Sequence, residues 1–178
     1  MTRVLVIGSI NMDMVVNSPT MPRLGETLSG SGFATYPGGK GANQAVAAAR
    51  LGAQVSMIGC VGRDDFGTAL KAVLANEGVD TRWVSEVDVA TGVASITLCG
   101  TDNAIIVVPG ANHALLPAHL DAAEQAFADA DVVLAQLEVP LATVEHAALL
   151  AARHSKPFLL NPAPAVALPV ALLARVSV

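Results

Sequence analysis

The chain has few aromatic and few charged residues: aromatic side chains account for 3% of its 178 residues and charged side chains for 14%. A hydrophobic content of 53% with so little charge excludes an intrinsically disordered protein. The net charge of -5, without any cluster of Lys or Arg, argues against a nucleic-acid partner, because such surfaces need phosphate-neutralising patches. Charge or proline interrupts every apolar stretch before it reaches membrane-spanning length. We therefore expect a single ordered domain with no nucleic-acid and no membrane partner.

Cysteine is also scarce, with only Cys60 and Cys99 present, each inside a short apolar run. This placement predicts buried, reduced thiols, which suit a cytoplasmic protein. The apolar run Val4–Ile7 is too short for the core of a signal peptide. The four histidines lack metal-ligand spacing and are interpreted as surface residues.

Short apolar runs alternate with amphipathic stretches along the chain. The runs predicted to be strands buried on both faces are Val4–Ile7, Val55–Val61, Val132–Leu137 and Phe158–Leu160. The stretches predicted to be helices are Ala42–Leu51, about Phe66–Glu77 with Asp64 or Asp65 as the cap, and two more that follow Pro117 and Pro140. This alternation predicts an α/β fold, with a mainly parallel central sheet between two layers of helices.

Two segments interrupt the alternation. Residues Met12–Tyr36 show no helical period, and Gly92–Val108 reads as a hairpin with a turn near Gly100. Together they predict a small antiparallel sheet that stands apart from the main one. Such an appendage is typical of a lid over a binding site or of a contact between subunits.

A glycine-rich stretch, Gly38–Ala45, directly precedes or opens the first predicted helix. Its glycines allow close approach of backbone to a ligand, and the N–H groups of a first helical turn are free to bind one. A phosphate-binding loop of the Walker A type is excluded because Gly41, not Ser or Thr, follows Lys40. A dinucleotide fingerprint is excluded because the segment after the first strand lacks its second glycine. A tight turn that merely caps the helix is the alternative, but it does not account for Lys40 and Asn43 on the same turn.

Polar side chains follow three of the predicted strands: Asn11 and Asp13 after the first, Glu138 after Val132–Leu137, and Asn161 after Phe158–Leu160. In open parallel sheets, ligands bind beyond the carboxyl ends of the strands. Carboxylates that accept from neighbouring hydroxyls, with an amide nearby, suit a polyol such as a sugar. Individually, Asp13 could cap a turn, Glu138 could be solvated, and Asn161 could brace the following proline-rich bend.

These residues carry a resemblance to the ribokinase (PfkB) family of carbohydrate kinases, and the similarity runs from end to end. The segments that carry it are Gly8–Asp13, Pro22–Thr27, Gly38–Gly52, Gly59–Gly67, Thr91–Ala94, Gly110–Asn112, Gln136–Glu138 and Leu160–Pro164. The glycines, small residues and asparagine of the family's first signature are met by Gly38, Gly39, Gly41, Asn43, Ala45, Gly52 and Gly62.

The resemblance implies ATP-dependent phosphorylation of D-ribose at its 5-hydroxyl, with Mg²⁺ and a monovalent cation such as K⁺. It implies that Asn11 and Asp13 hold sugar hydroxyls and that Glu138 completes the pocket. The segment that would wrap the sugar consists of Gly39, Lys40, Gly41, Ala42 and Asn43. Segments 12–37 and 92–108 would form the lid within the kinase domain 1–178, and the lid sheet would also join two subunits as a homodimer.

The family's second signature, which holds the catalytic aspartate and an anion hole, has no counterpart in these residues, nor do the nucleotide-binding and magnesium segments. We therefore expect the C-terminal half of the fold to be missing, with no catalytic base and no nucleotide site in this chain. The 178 residues alone are expected not to turn over ATP. Two alternatives remain: a related kinase for deoxyribose, fructose or a nucleoside, and a truncated non-catalytic module that binds sugar or dimerises.

Overall fold

A computed structural model describes all residues, Met1–Val178. It contains nine strands: β1 (Arg3–Ile7), β2 (Asn11–Asn17), β3 (Gly32–Gly38), β4 (Gln54–Gly62), β5 (Val79–Val87), β6 (Gly92–Cys99), β7 (Asp102–Val108), β8 (Val132–Ala135) and β9 (Phe158–Leu160). The helices are α1 (Lys40–Arg50), α2 (Asp65–Asn76), α3 (Pro117–Ala122), α4 (Glu124–Asp129), α5 (Leu141–Arg153) and α6 (Val170–Leu173), with a 3₁₀ helix at Gly110–Ala114.

The central sheet has five strands in the order β5-β4-β1-β8-β9, and every pair in it is parallel. The four predicted central strands are thus confirmed, although β8 ends at Ala135, so that Gln136 and Leu137 lie beyond it. Strand β5 was not predicted from the sequence. This strand is at the edge of the sheet and mixes buried with partly exposed residues, so it lacks the continuous apolar run that identified the others.

The helices cover both faces of the central sheet. Alternate residues of β1 point to opposite faces: Leu5 and Ile7 join a core of 22 buried residues with α3, α4 and α5. Val6 joins a second core of 12 buried residues with α1 and α2. These two cores make the predicted three-layer α/β/α architecture. The longest helix has 13 residues, and none has the length and hydropathy needed to cross a bilayer.

The helix boundaries differ from the predicted ones in two places. Helix α1 begins at Lys40, so the last residues of the glycine-rich stretch are already helical. The segment after Pro117 forms two short helices, α3 and α4, instead of one. The predicted cap of α2 is confirmed as Asp64, whose carboxylate accepts a hydrogen bond from the Gly67 N–H.

The four remaining strands form a separate small sheet in the order β3-β2-β6-β7. Its outer pairs are antiparallel, but β2 and β6 at its centre are parallel, so the prediction of an antiparallel sheet was wrong. The reason is topological: β2 follows β1 and β6 follows β5, and both leave the carboxyl edge of the central sheet in the same direction. Cys99 lies at the end of β6 and is partly exposed, so only Cys60 is the buried thiol that was predicted.

Candidate functional site

Glu138 lies just beyond β8 and is held by groups from two other parts of the chain. The Ser9 hydroxyl donates to its Oε2 at 2.6 Å, and the Lys40 backbone N–H donates to the same oxygen at 3.1 Å. The Lys40 Nζ lies 3.6 Å from Oε1, and the Glu138 side chain is 16% exposed. The carboxylate is therefore fixed in direction while part of it stays accessible.

The glycine-rich stretch packs directly against the segment that follows β1. A Cβ on Gly39, which has a φ of 90°, would lie 2.8 Å from the Asn11 nitrogen, and a Cβ on Gly41 would lie 2.7 Å from the Ser9 nitrogen. Only glycine fits such an approach, and at Gly39 the left-handed backbone adds a second requirement for it. The glycines thus bring the start of α1 against the carboxyl end of β1.

The first N–H groups of α1 have partners within the protein, which differs from the expectation that they are free for a ligand. The Ser9 hydroxyl accepts from the Gly41 N–H at 3.3 Å, and the Ser9 carbonyl accepts from the Ala42 N–H at 2.9 Å. Gly41 and Ala42 are both buried. These two residues therefore support the backbone of the site, while Gly39 and Lys40 remain partly exposed beside it.

Asp13, on β2, brings a second carboxylate to this region. A Cβ on Gly38 would lie 2.4 Å from each of the two carboxylate oxygens of Asp13, so this side chain rests directly against the glycine. Burial is the main cause that raises the pKa of Asp13, and the negative charge of Glu138 raises it further. The two carboxylates thus lie near enough for their charges to interact, and the Lys40 ammonium is next to Glu138.

Asn11, the first residue of β2, is 3% exposed, and its side-chain Oδ1 accepts from Asn112 Nδ2 at 2.6 Å. Asn43 is exposed on α1 and lines a shallow cavity of about 390 Å³ together with Arg50 and Glu77. Asn161 uses its backbone, donating to the Ala135 carbonyl and accepting from the Ala163 N–H. The structure therefore brings Asn11, Asp13, Glu138 and Asn161 to the carboxyl edge of the central sheet, where Asn161 forms part of the bend that follows β9.

No group of three or more His, Cys, Asp or Glu side chains in the chain is arranged to hold a metal ion. We assign no metal ligand among the residues of this chain.

Comparison with known proteins identifies the family of the chain. Residues 1–177 match the protein family described as "pfkB family carbohydrate kinase". The chain belongs to the pfkB family. It is 50% identical over 167 residues to ribokinase of Bacillus subtilis, covering 93% of this chain and 57% of that protein, and 43% identical over 175 residues to ribokinase of Haemophilus influenzae, covering 97% and 57%. This pfkB chain therefore spans little more than half the length of these curated relatives.

Solved structures show the same relationship. Ribokinase of Arabidopsis thaliana, complexed with ribose and ATP, superposes on this pfkB chain with a TM-score of 0.90 at 31% identity, covering 99% of this chain and 59% of that one. The fold of the pfkB chain is thus shared along its whole length with a ribokinase.

Sequence reasoning missed three polar residues that organise the site of this pfkB chain. Ser9, Asn112 and Gln136 are almost fully buried, and each bonds to a residue distant in the chain: Ser9 to Glu138, Asn112 to Ile10 and Asn11, and Gln136 to Gln44. All three lie inside segments that carry the family resemblance, which was the available signal. A buried polar side chain needs a partner, but the sequence alone does not say which one.

Proposed function

We propose that this chain is the sugar-binding portion of a carbohydrate kinase that transfers the γ-phosphoryl group of ATP to the 5-hydroxyl of D-ribose, giving D-ribose 5-phosphate and ADP. The observation that carries the proposal is the pair of carboxylates beside the glycine-rich stretch: Asp13 rests against Gly38, and Glu138 accepts from the Lys40 N–H and lies next to the Lys40 ammonium. Such a pair accepts hydrogen bonds from the hydroxyls of a polyol. The identity to ribokinases along nearly the whole chain supports ribose as that polyol.

Each site residue has a proposed role in this scheme. Asp13 and Glu138 accept from sugar hydroxyls, and Asn11 supplies an amide to the same pocket. Gly39 and Lys40 face the sugar from the start of α1, and Asn43 contacts it from the exposed side of that helix. Gly41 and Ala42, which are buried, shape the wall through their bonds to Ser9.

None of these residues is free to act as the general base. Asp13 and Glu138 are committed to hydroxyl recognition, and phosphoryl transfer also needs groups that hold ATP and neutralise its phosphates. We propose that ATP, with Mg²⁺ and a monovalent cation such as K⁺, takes no ligand from these 178 residues. The whole kinase is proposed to work in the cytoplasm.

The small sheet is proposed to act as a lid that excludes water from the sugar and as the contact between two subunits. Exposed apolar side chains on both of its edge strands support the second role: Phe33 and Tyr36 on β3, and Ile105 and Ile106 on β7. Sedimentation of the chain is expected to give a dimer, and Ile106→Glu, which puts charge at a position that is 69% exposed, is expected to give a monomer. A monomeric parent chain would contradict this contact.

Titration calorimetry of the purified chain with D-ribose, 2-deoxyribose, fructose and adenosine tests the assignment. We expect D-ribose to bind most tightly, and no ADP to form when ATP and ribose are incubated with the chain. Tighter binding of adenosine would refute ribose as the substrate, and absence of binding to any sugar would refute the whole proposal. Ribose-dependent ADP formation would refute the proposal that these residues include no catalytic base.

A further inference from the structure

Four chain crossings connect the small sheet to the rest of the molecule: Ile10–Asn11, Gly38–Gly39, Thr91–Gly92 and Val108–Gly110. Asn112 lies in the 3₁₀ helix just after the last crossing and is only 1% exposed. Its side chain makes four hydrogen-bonding contacts, all with residues at the first and last crossings. The amide of Asn112 thus joins the beginning and the end of the small sheet.

Backbone groups determine which way the Asn112 amide points. The Ile10 N–H donates to Asn112 Oδ1 at 2.8 Å, while Asn112 Nδ2 donates to the carbonyls of Ile10 at 3.2 Å and Pro109 at 3.0 Å. A backbone N–H can only donate and a carbonyl can only accept. The reverse orientation of the amide would place like groups together at all three contacts, so the assignment follows from the network itself.

The orientation of Asn112 in turn fixes that of Asn11. Asn112 Nδ2 faces the Asn11 side chain at 2.6 Å, so the atom of Asn11 that meets it must be the acceptor, Oδ1. The NH₂ group of Asn11 then points away from Asn112. The Asn11 NH₂ group has no acceptor in the protein. Gln136 Oε1 is the only fully buried side-chain polar atom without a partner, so the Asn11 NH₂ group keeps a small accessible surface where a ligand can meet it.

Gly92 leaves the space that this arrangement needs. A Cβ there would lie 2.3 Å from both Asn11 Oδ1 and Asn112 Nδ2. The third crossing therefore passes directly over the bond between the two amides without disturbing it.

We propose that Asn112 is a positioning residue that makes Asn11 a hydrogen-bond donor, and never an acceptor, toward the bound sugar; this rests on the proposed function. Asn11 then gives a hydrogen bond while Asp13 and Glu138 accept. A hydroxyl between Asn11 and Asp13 can accept from the amide and donate to the carboxylate at once, and each bond strengthens the other. Asn112 itself does not touch the sugar.

A double-mutant cycle on the whole chain tests this role, with D-ribose affinity measured by calorimetry. Asn112→Asp keeps the shape but replaces the donor by an oxygen, which makes Asn11 turn its amide around. We expect the dissociation constant to rise about 10- to 100-fold in the parent chain, but less than about twofold in an Asn11→Ala background. Equal losses in both backgrounds would overturn the proposal. Thr143→Val, which removes a buried hydroxyl that donates to the Leu115 carbonyl, is the matched control and should lower the melting temperature without changing affinity.

Amide NMR of the unmutated chain gives a second test that does not depend on sugar binding or on a variant that folds. We expect the side-chain NH₂ of Asn112 to exchange with solvent at least about 100-fold more slowly than that of Asn11. If ribose fails to bind but this difference is seen, the proposed function fails and the fixed orientation stands. Equally fast exchange of the two groups would refute the orientation.

Discussion

The Ser9 hydroxyl donates a hydrogen bond of 2.6 Å to Glu138, which joins residues 129 positions apart at the carboxyl edge of the central sheet. Ser9 is fully buried, and its hydroxyl also accepts from the Gly41 N–H. The same side chain therefore holds a carboxylate of the site and the start of α1. The glycine-rich stretch also packs directly against the backbone of Ser9.

Ser9→Ala is expected to weaken D-ribose binding by about tenfold, since a hydrogen bond to a charged group contributes about 1.5–3 kcal/mol and Glu138 keeps its bond from Lys40. Calorimetry measures the change. The matched control is Ser56→Ala: this hydroxyl also donates to a carboxylate, that of Asp80, but from the part of β4 near its amino end. An equal loss of affinity in both variants would contradict a specific role for Ser9.

Elements with a local sequence pattern could be predicted, whereas elements that depend on contacts between distant segments could not. The central strands β1, β4, β8 and β9 were predictable because a strand buried on both faces is apolar without interruption. The edge strand β5 was not predictable, because its buried residues are interrupted by partly exposed ones. The parallel pairing of β2 with β6 was also hidden, because it depends on the direction in which two distant segments leave the central sheet.

For the candidate site, the polar residues that follow strands could be predicted from the sequence, whereas the buried polar residues that orient them could not. Asp13 and Glu138 follow strands, and a general rule places such residues at one edge of a parallel sheet. Ser9 and Asn112 act through contacts with residues 129 and 101 positions away, which no local pattern encodes. The expectation of free N–H groups at the start of α1 was wrong for the same reason, because Ser9 accepts hydrogen bonds from two of them.

Asp13→Asn is expected to stabilise the chain while it weakens sugar binding. Burial and then the charge of Glu138 raise the pKa of Asp13, so the ionised carboxylate costs folding free energy at neutral pH. The gain in stability should be present at pH 7, begin to shrink as the pH falls through the raised pKa, and be lost only below the ordinary pKa of an aspartate, where the folded and the unfolded chain are both protonated. Ribose affinity at pH 7 should fall about 10- to 100-fold, since an acceptor for hydroxyls is lost.

Urea denaturation at pH 7 and pH 3, with calorimetry at pH 7, measures both effects. Asp102→Asn, at the exposed first residue of β7, is the control and should change neither stability nor affinity appreciably. A destabilised Asp13→Asn chain at pH 7 would show that the carboxylate is favourable in the empty site.

Gly39→Ala and Gly52→Ala separate backbone strain from close approach. Both glycines have a φ of 90°, so alanine is strained by about 1–2 kcal/mol at either position. A Cβ at Gly52 meets nothing within 4 Å, whereas one at Gly39 would lie 2.8 Å from backbone atoms of Ser9 and Asn11. We expect Gly39→Ala to lose clearly more unfolding free energy and to abolish ribose binding, while Gly52→Ala keeps its affinity. Equal losses would mean that the backbone at residue 39 can move aside.

Asp64 and Thr91 connect the cap of α2 to the crossing that leads into β6. The carboxylate of Asp64 accepts from the Thr91 hydroxyl at 2.6 Å, from the Thr91 N–H at 2.8 Å and from the Gly67 N–H at 2.8 Å. The Thr91 hydroxyl in turn accepts from the Gly62 N–H at 2.9 Å. This cluster therefore anchors the third crossing, Thr91–Gly92, as Asn112 anchors the first and the last.

Asp64→Asn is expected to destabilise the chain by about 1 kcal/mol or more at pH 7, because asparagine still caps a helix but cannot accept from all three donors. Burial would raise the pKa of Asp64, but the hydrogen bonds from Thr91 and then Gly67 outweigh it and lower the pKa below its ordinary value. A depressed pKa means that the stabilisation is present above the ordinary pKa of an aspartate and is lost as the pH falls through the lower one.

The difference in unfolding free energy between the parent chain and Asp64→Asn should therefore be largest near neutral pH and shrink below about pH 4. Urea denaturation across pH 3 to 7 measures it. Asp65→Asn removes the same charge from the first turn of α2 at an exposed position, so its effect should be smaller. A difference that stays constant down to pH 3 would show that the carboxylate charge is not what holds Thr91, and that the shape of the side chain alone anchors the crossing.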